Sequence, residues 1–497
     1  MLASKKKIRV LAFALDDDLL KVNSDFKVAD HINLTGEALK NIGFVPITDL
    51  YVNKHDQGAI KIACIKQGVV LTQQEKTSLL ALGVRAYSYD LIKEVLYAAA
   101  QGIQVEASVY FAKVPQGFSL QTAACHIKES KKPDFAVIRS ESPCLWAGTF
   151  TQNKARAFCV EKNIQLKENK VQVLACNSGN ANACTKDQAQ KADLLIRQEL
   201  GKLNHCKADE VLFASTGKIG VPLDTQTIIE RFSSFANASV QEFAQAILTT
   251  DTFIKISQDR QANFLGFAKG SGMIHPQMAT MLAFVISDKK IKDLNEVQTQ
   301  EFMQNTLRDL VATSFNAITV DGDSSTNDMC LCLINRQGAE ISQQEFKESL
   351  KQVLDDLAYK IVADGEGLTK LSKLTIKSYL ADQQALDLGR FILNSSLVKT
   401  AIHGNDPNWG RIIASLGQFC ASTNIDLDID KTQLEILGQS VFANGANTTF
   451  DRQALSATMK KSFVINMTLD LGGSKQISVY GNDLSHEYIK INAEYFT

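Results

Sequence analysis

Thr280 is the residue whose type and surroundings best suit a nucleophile. It lies in Phe267–Phe284, which reads FAKGSGMIHPQMATMLAF. Gly266, Gly270, Ser271 and Gly272 lead into Pro276, and Thr280 then stands between Ala279 and the apolar run Met281–Val285. A hydroxyl at the head of an apolar run has two readings. In one, the glycines form a turn, the run is a buried strand and Thr280 is strand filler. In the other, the Ala279–Thr280 peptide bond breaks and Thr280 gains a free α-amine beside its own hydroxyl. An α-amine titrates at ~7.7–8.0, so it can take up a proton at neutral pH. A threonine with its own terminal amine is an activated nucleophile.

Acyl transfer also needs a base, an oxyanion hole and a pocket for substrate. None of the seven histidines falls in a Ser/His/Asp pattern, and His275 and His403 read as structural. This leaves the Thr280 amine as the base. The Thr216–Gly217 pair offers a hydroxyl and a flexible amide that can converge on one developing charge, and one such donor is worth ~10²–10³ in turnover. The same residues also suit a plain turn. Metal chemistry has little footing. His403, Asp406, Asp321, Asp323 and Asp328 have the spacing of no standard site, and Cys332 stands where a calcium loop would close with glutamate. No phosphate-binding glycine loop is present.

Several long motifs, in order, resemble the bifunctional glutamate N-acetyltransferase/ornithine acetyltransferase family of arginine biosynthesis. Besides the Thr280 segment, they are NSGNANACT at Asn177–Thr185, ASTGKIG at Ala214–Gly220 and TTDTF at Thr249–Phe253. TVDGDSSTND at Thr319–Asp328, ADGEGLTK at Ala363–Lys370, HGNDPNWGRI at His403–Ile412 and the terminal YIKINAEYFT follow. The resemblance implies self-cleavage between Ala279 and Thr280, with Thr280 as nucleophile and Thr216 and Gly217 as the oxyanion pair. It implies substrate contacts from Thr250, Lys269, Thr280, Glu366, Asn492 and Thr497, with Thr252 as second choice to Thr250. Lys269 would pair with the α-carboxylate. Glu366, flanked by Gly365 and Gly367, would hold the side-chain ammonium of ornithine. Asn492 and Thr497 would bring the tail back into the site.

The implied reaction moves acetyl from N2-acetylornithine to glutamate. No cofactor is expected, and acetyl-CoA would enter only as an alternative acetyl donor. The implied fold is a self-processing α/β sandwich with an N-terminal threonine nucleophile. Its two fragments stay interlaced and assemble as an (αβ)2 heterotetramer in the cytoplasm. Two rivals share the motifs: a self-processed N-terminal-nucleophile aminopeptidase or amidase, and a catalytically dead binding protein.

These residues need strands and helices to hold them. Val171–Ala175, Met281–Ile286 and Met329–Ile334 are apolar runs suited to central strands, and Cys330 and Cys332 share one face of the last. Ala189–Leu200, Ile228–Thr249, Glu301–Thr313 and Gln344–Asp364 have helical spacing. The resemblance covers residues 114–497. Residues 1–113 form an extra α/β region, with strands expected at Ile8–Ala14, Ile60–Ile65 and Val105–Phe111 and a helix at Leu91–Ala100. Ala29–Tyr51 and Leu82–Lys113 resemble pieces of a purine nucleoside phosphorylase. The region has no room for that family's phosphate loop, and Ala112 and Lys113 replace its base-binding asparagine. It reads as a non-catalytic remnant.

Composition is consistent with a sizeable core, at 45% apolar residues, and a net charge of −1 gives no pull toward nucleic acid or a membrane surface. The ten cysteines include no CxxC pair and fit reduced thiols. Ile8–Leu15 contains Arg9 and is too short to span a membrane. Cleavage before Thr280 would leave fragments of 279 and 218 residues from the chain of 497. Denaturing mass spectrometry should find both, whereas an uncut chain that still turns over would refute Thr280 as an N-terminal nucleophile.

Overall fold

The computed structural model describes residues 8–11, 28–29, 49–52, 61–65, 84–88, 112–130, 132–166, 170–259, 261, 263–275 and 281–494. The expected helix at Leu91–Ala100 and strand at Val105–Phe111 lie outside them. The chain divides into two compact units, Met1–Tyr110 and Phe111–Thr497. In the first, Ile8–Leu11 and Val28–Ala29 both pair antiparallel with Asp49–Val52. Lys61–Ile65 and Val84–Ser88 form a parallel pair.

The second unit holds two large sheets. In the first, the sixteen-residue strand Phe135–Phe150 is the hinge between two halves. Its first half pairs with Phe118–Ala123 and Val171–Asn180, and the latter pairs in parallel with Val211–Lys218. Its second half pairs with Met329–Ile334. From there the sheet continues through Leu282–Ser287 and Leu265–Lys269 to Lys255–Gln258. Leu282–Ser287 and Met329–Ile334 are buried on both faces, which explains their unbroken apolar runs.

Helices Glu296–Thr313 and Gln343–Ala363 cover one face of this sheet. Met303, Leu307, Phe346, Val353 and Leu357 meet Ala283, Val285, Cys330 and Cys332 in one apolar core. Capping boxes start both helices, Asn295 with Gln298 and Ser342 with Glu345. The second sheet is built around Leu371–Ser378, which lies between Lys475–Asn482 and Val464–Asp470. Helices Asp382–Asn394, Ser396–His403 and Trp409–Thr423 contribute to its core.

The helix expected over Ile228–Thr249 is broken in three. Helix Thr225–Glu230 runs into a 3-10 turn at Arg231–Ser234, a short strand at Ala236–Asn237 and a new helix at Val240–Ala246. Ser233 and Ser234 turn their hydroxyls back onto the carbonyls of Glu230 and Arg231. Ala236–Asn237 is drawn off to pair with Gln121 and Thr122. Ser239 and Glu242 then cap the fresh start. Sheet pairing and local serine bonds outweigh helical spacing here.

Arg197 ties the strand leading to Thr216 into the fold. Its side chain is fully buried, donating to Asp193 at 2.5 Å and to Asn163 at 2.9 Å, and also to the Val211 carbonyl. One guanidinium thus joins helices Phe158–Gln165 and Asp187–Asn204 to Val211–Lys218. Arg197→Met should destabilise the protein by about 3–5 kcal/mol, because Asp193 is left buried without its partner. Denaturant titration of wild type and variant measures this, and a loss under about 1 kcal/mol would show that the pair does not anchor the strand.

Candidate active site

Strand ends bring the first residues together. Val211–Lys218 ends in Thr216 and Gly217, beside the end of the parallel strand Val171–Asn180. Gly217 has φ +130°, and a Cβ there would sit 2.2 Å from the Gly179 carbonyl carbon, so the position requires glycine. Lys269 ends Leu265–Lys269 and lies opposite Leu282. Its Nζ donates to Thr216 Oγ1 at 2.9 Å. An ammonium only donates, so Thr216 accepts, and its own hydroxyl proton is left to serve another acceptor.

These residues line a cleft with a free volume of about 270 Å³. Thr250, Glu366 and Asn492 line it too, as do Met281 and Leu282, the two residues that follow Thr280. Glu366 Oε2 accepts from Asn492 Nδ2 at 3.0 Å, which brings helix His486–Glu494 to the cleft. The Glu366 carboxylate packs over Gly272, where a Cβ would lie 2.2 Å from Oε2. Thr250 Oγ1 and Ser271 Oγ are bonded at 2.9 Å. Thr252, the second choice, does not line the cleft: its hydroxyl and N–H are both given to Asp364.

Behind the cleft wall lies a buried ionic triad. Lys255 Nζ is 2.7 Å from Asp251 and 2.5 Å from Asp364. Burial raises the Asp251 pKa, but the Lys255 and Lys269 ammoniums and the Gly270 N–H outweigh it and hold the carboxyl below the usual carboxylate range. For Asp364 burial wins and its pKa is raised. Burial lowers the Lys255 pKa, yet the two carboxylates more than reverse this.

The cleft also holds acids whose part the sequence did not reveal. Asp321 accepts the N–H groups of Met273 and Ile274 at 2.7 and 2.8 Å and the Tyr488 hydroxyl at 3.2 Å. Burial raises the pKa of Asp321 in spite of these bonds. Asp328 is buried, its pKa is pushed well up by desolvation, and its Oδ2 has no hydrogen-bond partner among the described residues. By residue type Asp321, Asp323 and Asp328 suggest metal ligands, but their spacing fits no standard site. Among the described residues, no three His, Cys, Asp or Glu side chains gather in a way that could hold a metal ion. Tyr488 carried no sequence signal beyond its place in the terminal motif.

Both histidines in motifs lie off the cleft. His275 bonds Asn394 at 2.9 Å, and burial, helped by the Arg390 charge, lowers its pKa to about 4. His403 meets Asp483 at 2.8 Å. Ala279, Thr280 and Thr497 lie outside the described residues.

Gly272→Ala should displace the Glu366 carboxylate without unfolding the protein, because the clash falls on the end of a side chain. We expect a stability change of about 1 kcal/mol and a fall in turnover of about ten- to a hundredfold. Calorimetry and kinetics on one preparation check both. Unchanged turnover would mean that the Glu366 position does not matter.

Residues 119–497 match the ArgJ family. The chain is 38% identical over 392 residues to the arginine biosynthesis bifunctional protein ArgJ of Deinococcus radiodurans, covering 77% of this chain and 97% of that protein. It is 39% identical over 398 residues to the protein of the same name from Lactococcus lactis subsp. lactis, with the same 77% and 97% covered. A crystal structure of the arginine biosynthesis bifunctional protein from Bacillus halodurans is 31% identical, with a TM-score of 0.39, covering 44% of this chain and all of that one. With a family match over most of its length and relatives this similar, the chain belongs to the ArgJ family.

Proposed function

We propose that this protein transfers acetyl from N2-acetylornithine to glutamate through an acyl-enzyme on Thr280, releasing ornithine and forming N-acetylglutamate. It is an acyltransferase of arginine biosynthesis, as its family and its relatives' names support. The observation that carries the finer reading is the convergence of Thr216, Gly217, Thr250, Lys269, Glu366 and Asn492 on one cleft. The strand that follows Thr280 opens on that same cleft through Met281 and Leu282.

In this reading water first hydrolyses the Ala279–Thr280 peptide bond, leaving Ala279 with a carboxylate and Thr280 with a free α-amine. That amine takes the hydroxyl proton as the oxygen attacks the acetyl carbonyl carbon. The oxyanion forms facing the Thr216 hydroxyl and the Gly217 N–H. The C–N bond to ornithine then breaks, and the proton passes from the Thr280 amine to the leaving nitrogen. Glutamate attacks the resulting ester with its own amine and regenerates the threonine hydroxyl. Lys269 offers an ammonium to the substrate carboxylate. Glu366 and Asn492 take the ornithine side-chain ammonium, with Thr497 as a further contact.

The amidase rival uses the same nucleophile and passes the acetyl to water. The opposed charges of Lys269 and Glu366 across the cleft favour an amino-acid acceptor instead. The two fragments remain together as α and β chains of an (αβ)2 assembly in the cytoplasm. Among the described residues, no helix is long and apolar enough to cross a membrane. Residues 1–113 are a phosphorylase-like remnant that serves packing, assembly or regulation.

Purified protein given acetylornithine and glutamate should yield N-acetylglutamate, and release of acetate in its place would favour the amidase. Acetyl-CoA run in parallel measures how much glutamate is acetylated from that donor. Glu366→Gln should lower kcat/KM for acetylornithine by about ten- to a hundredfold, since a charge-assisted hydrogen bond contributes about 1.5–3 kcal/mol. Self-cleavage should continue in this variant. Failure to cleave would assign Glu366 to processing, and normal transfer would remove it from substrate binding.

A further inference from the structure

Lys255 has no place in the acetyl-transfer steps above, and it does not line the cleft. Its side chain is wholly buried. An ammonium in such a place must be paired and hydrogen-bonded, or folding suffers. Its partners are Asp251, four positions away, and Asp364, which is distant in the chain. Nζ lies 2.7 Å from Asp251 Oδ1 and 2.5 Å from Asp364 Oδ2, and 3.4 Å from the Phe253 carbonyl oxygen.

Each carboxylate goes on to hold backbone within two residues of a side chain that lines the cleft. Asp251 Oδ1 accepts the Gly270 N–H at 2.6 Å, directly after Lys269, and Oδ2 accepts the Thr249 N–H at 3.0 Å, directly before Thr250. Asp364 accepts the Thr252 N–H at 3.0 Å and stands two residues before Glu366. The Glu366 N–H in turn donates to the Ser271 carbonyl at 3.0 Å. The segments that carry Thr250, Lys269 and Glu366 are therefore joined through the two carboxylates that the Lys255 ammonium holds. Without it, Asp251 and Asp364 would face each other as like charges in a site shielded from water.

We propose that Lys255 is a positioning residue that sets the chain length of the substrate, by fixing the gap between Glu366 and the Thr250–Lys269 side of the cleft. The proposal rests on the reading that Glu366 receives the side-chain ammonium and Lys269 the carboxylate. A rigid gap between the two charge readers suits one spacing of ammonium and carboxylate. Lysine differs from ornithine by a single methylene, and a fitted pocket distinguishes such a difference by about 10–200-fold. A gap free to relax loses that distinction before it loses the chemistry, because Thr216 and Gly217 are held separately through their own strand.

The test uses the full-length, processed protein with Lys255→Arg and Lys255→Met. Lys255→Arg keeps the charge but lengthens the side chain. It also serves if Lys255→Met does not fold. For each, kcat and KM are measured with N2-acetylornithine and with N2-acetyllysine, and ornithine and lysine binding is measured by calorimetry. Wild type should prefer the ornithine compound. In the variants, KM for acetylornithine should rise by about tenfold while kcat stays within about twofold, and the preference over acetyllysine should shrink by about tenfold. A purely structural lysine would reduce active protein and kcat for both substrates equally and leave the preference intact, and that result overturns the proposal. So does a wild type that treats ornithine and lysine alike. If wild type binds ornithine but transfers no acetyl, the functional reading fails, and the ornithine-to-lysine binding ratio in the variants still judges Lys255.

Discussion

Lys255 carries its charge into a part of the protein that water does not reach, and the surrounding chain is arranged to answer it. Asp251 and Asp364 bracket the ammonium; Asp251 also accepts the N–H groups of Thr249 and Gly270, and Asp364 accepts the N–H and hydroxyl of Thr252. A buried ion pair of this kind adds little net stability compared with an apolar filling, but breaking it is costly. Its effect is to restrict geometry. Loops that would otherwise move independently share one anchor.

The opposite wall is set by close backbone packing. Val211–Lys218 runs parallel to Val171–Asn180, and the two strand ends pass so near that a side chain at Gly217 would run into the Gly179–Asn180 backbone. Arg197 fixes the root of the same strand from the helical side. Lys269 then crosses from the neighbouring half of the sheet to Thr216. The two halves meet through the long strand Phe135–Phe150, so the register of that strand governs whether Lys269 and Thr216 can touch.

Charge is unevenly distributed around the cleft. Lys269 stands on the side of the threonine–glycine pair, while Glu366, Asp321 and Asp323 stand on the side of Tyr488 and Asn492. A substrate with a carboxylate at one end and an ammonium at the other matches this polarity in only one orientation. Asp328 also lines the cleft; burial raises its pKa well above the usual carboxylate range, against the pull of Ser325 and the Lys269 charge toward the ionised form.

Runs of apolar residues made the central strands legible in the sequence, because period and hydrophobicity are local properties. Met329–Ile334 and helix Gln343–Ala363 lie where their patterns put them. The resemblance of the ordered motifs to a known family was what singled out most of the residues that gather in the cleft, with flanking glycines adding to the reading of Glu366. The broken helix after Thr225 was not legible, since its course depends on pairing between Ala236–Asn237 and a strand more than a hundred positions away. Residue type alone does not separate Thr250 from Thr252, both beside Asp251; the motif resemblance put Thr250 first, and the fold turns it to the cleft and Thr252 to Asp364. Lys255 shows the division most clearly. Sequence supplied a lysine four positions from an aspartate, an ordinary spacing. Its second partner, Asp364, is distant in the chain, and an ion pair of that kind is decided by which strands and helices pack together.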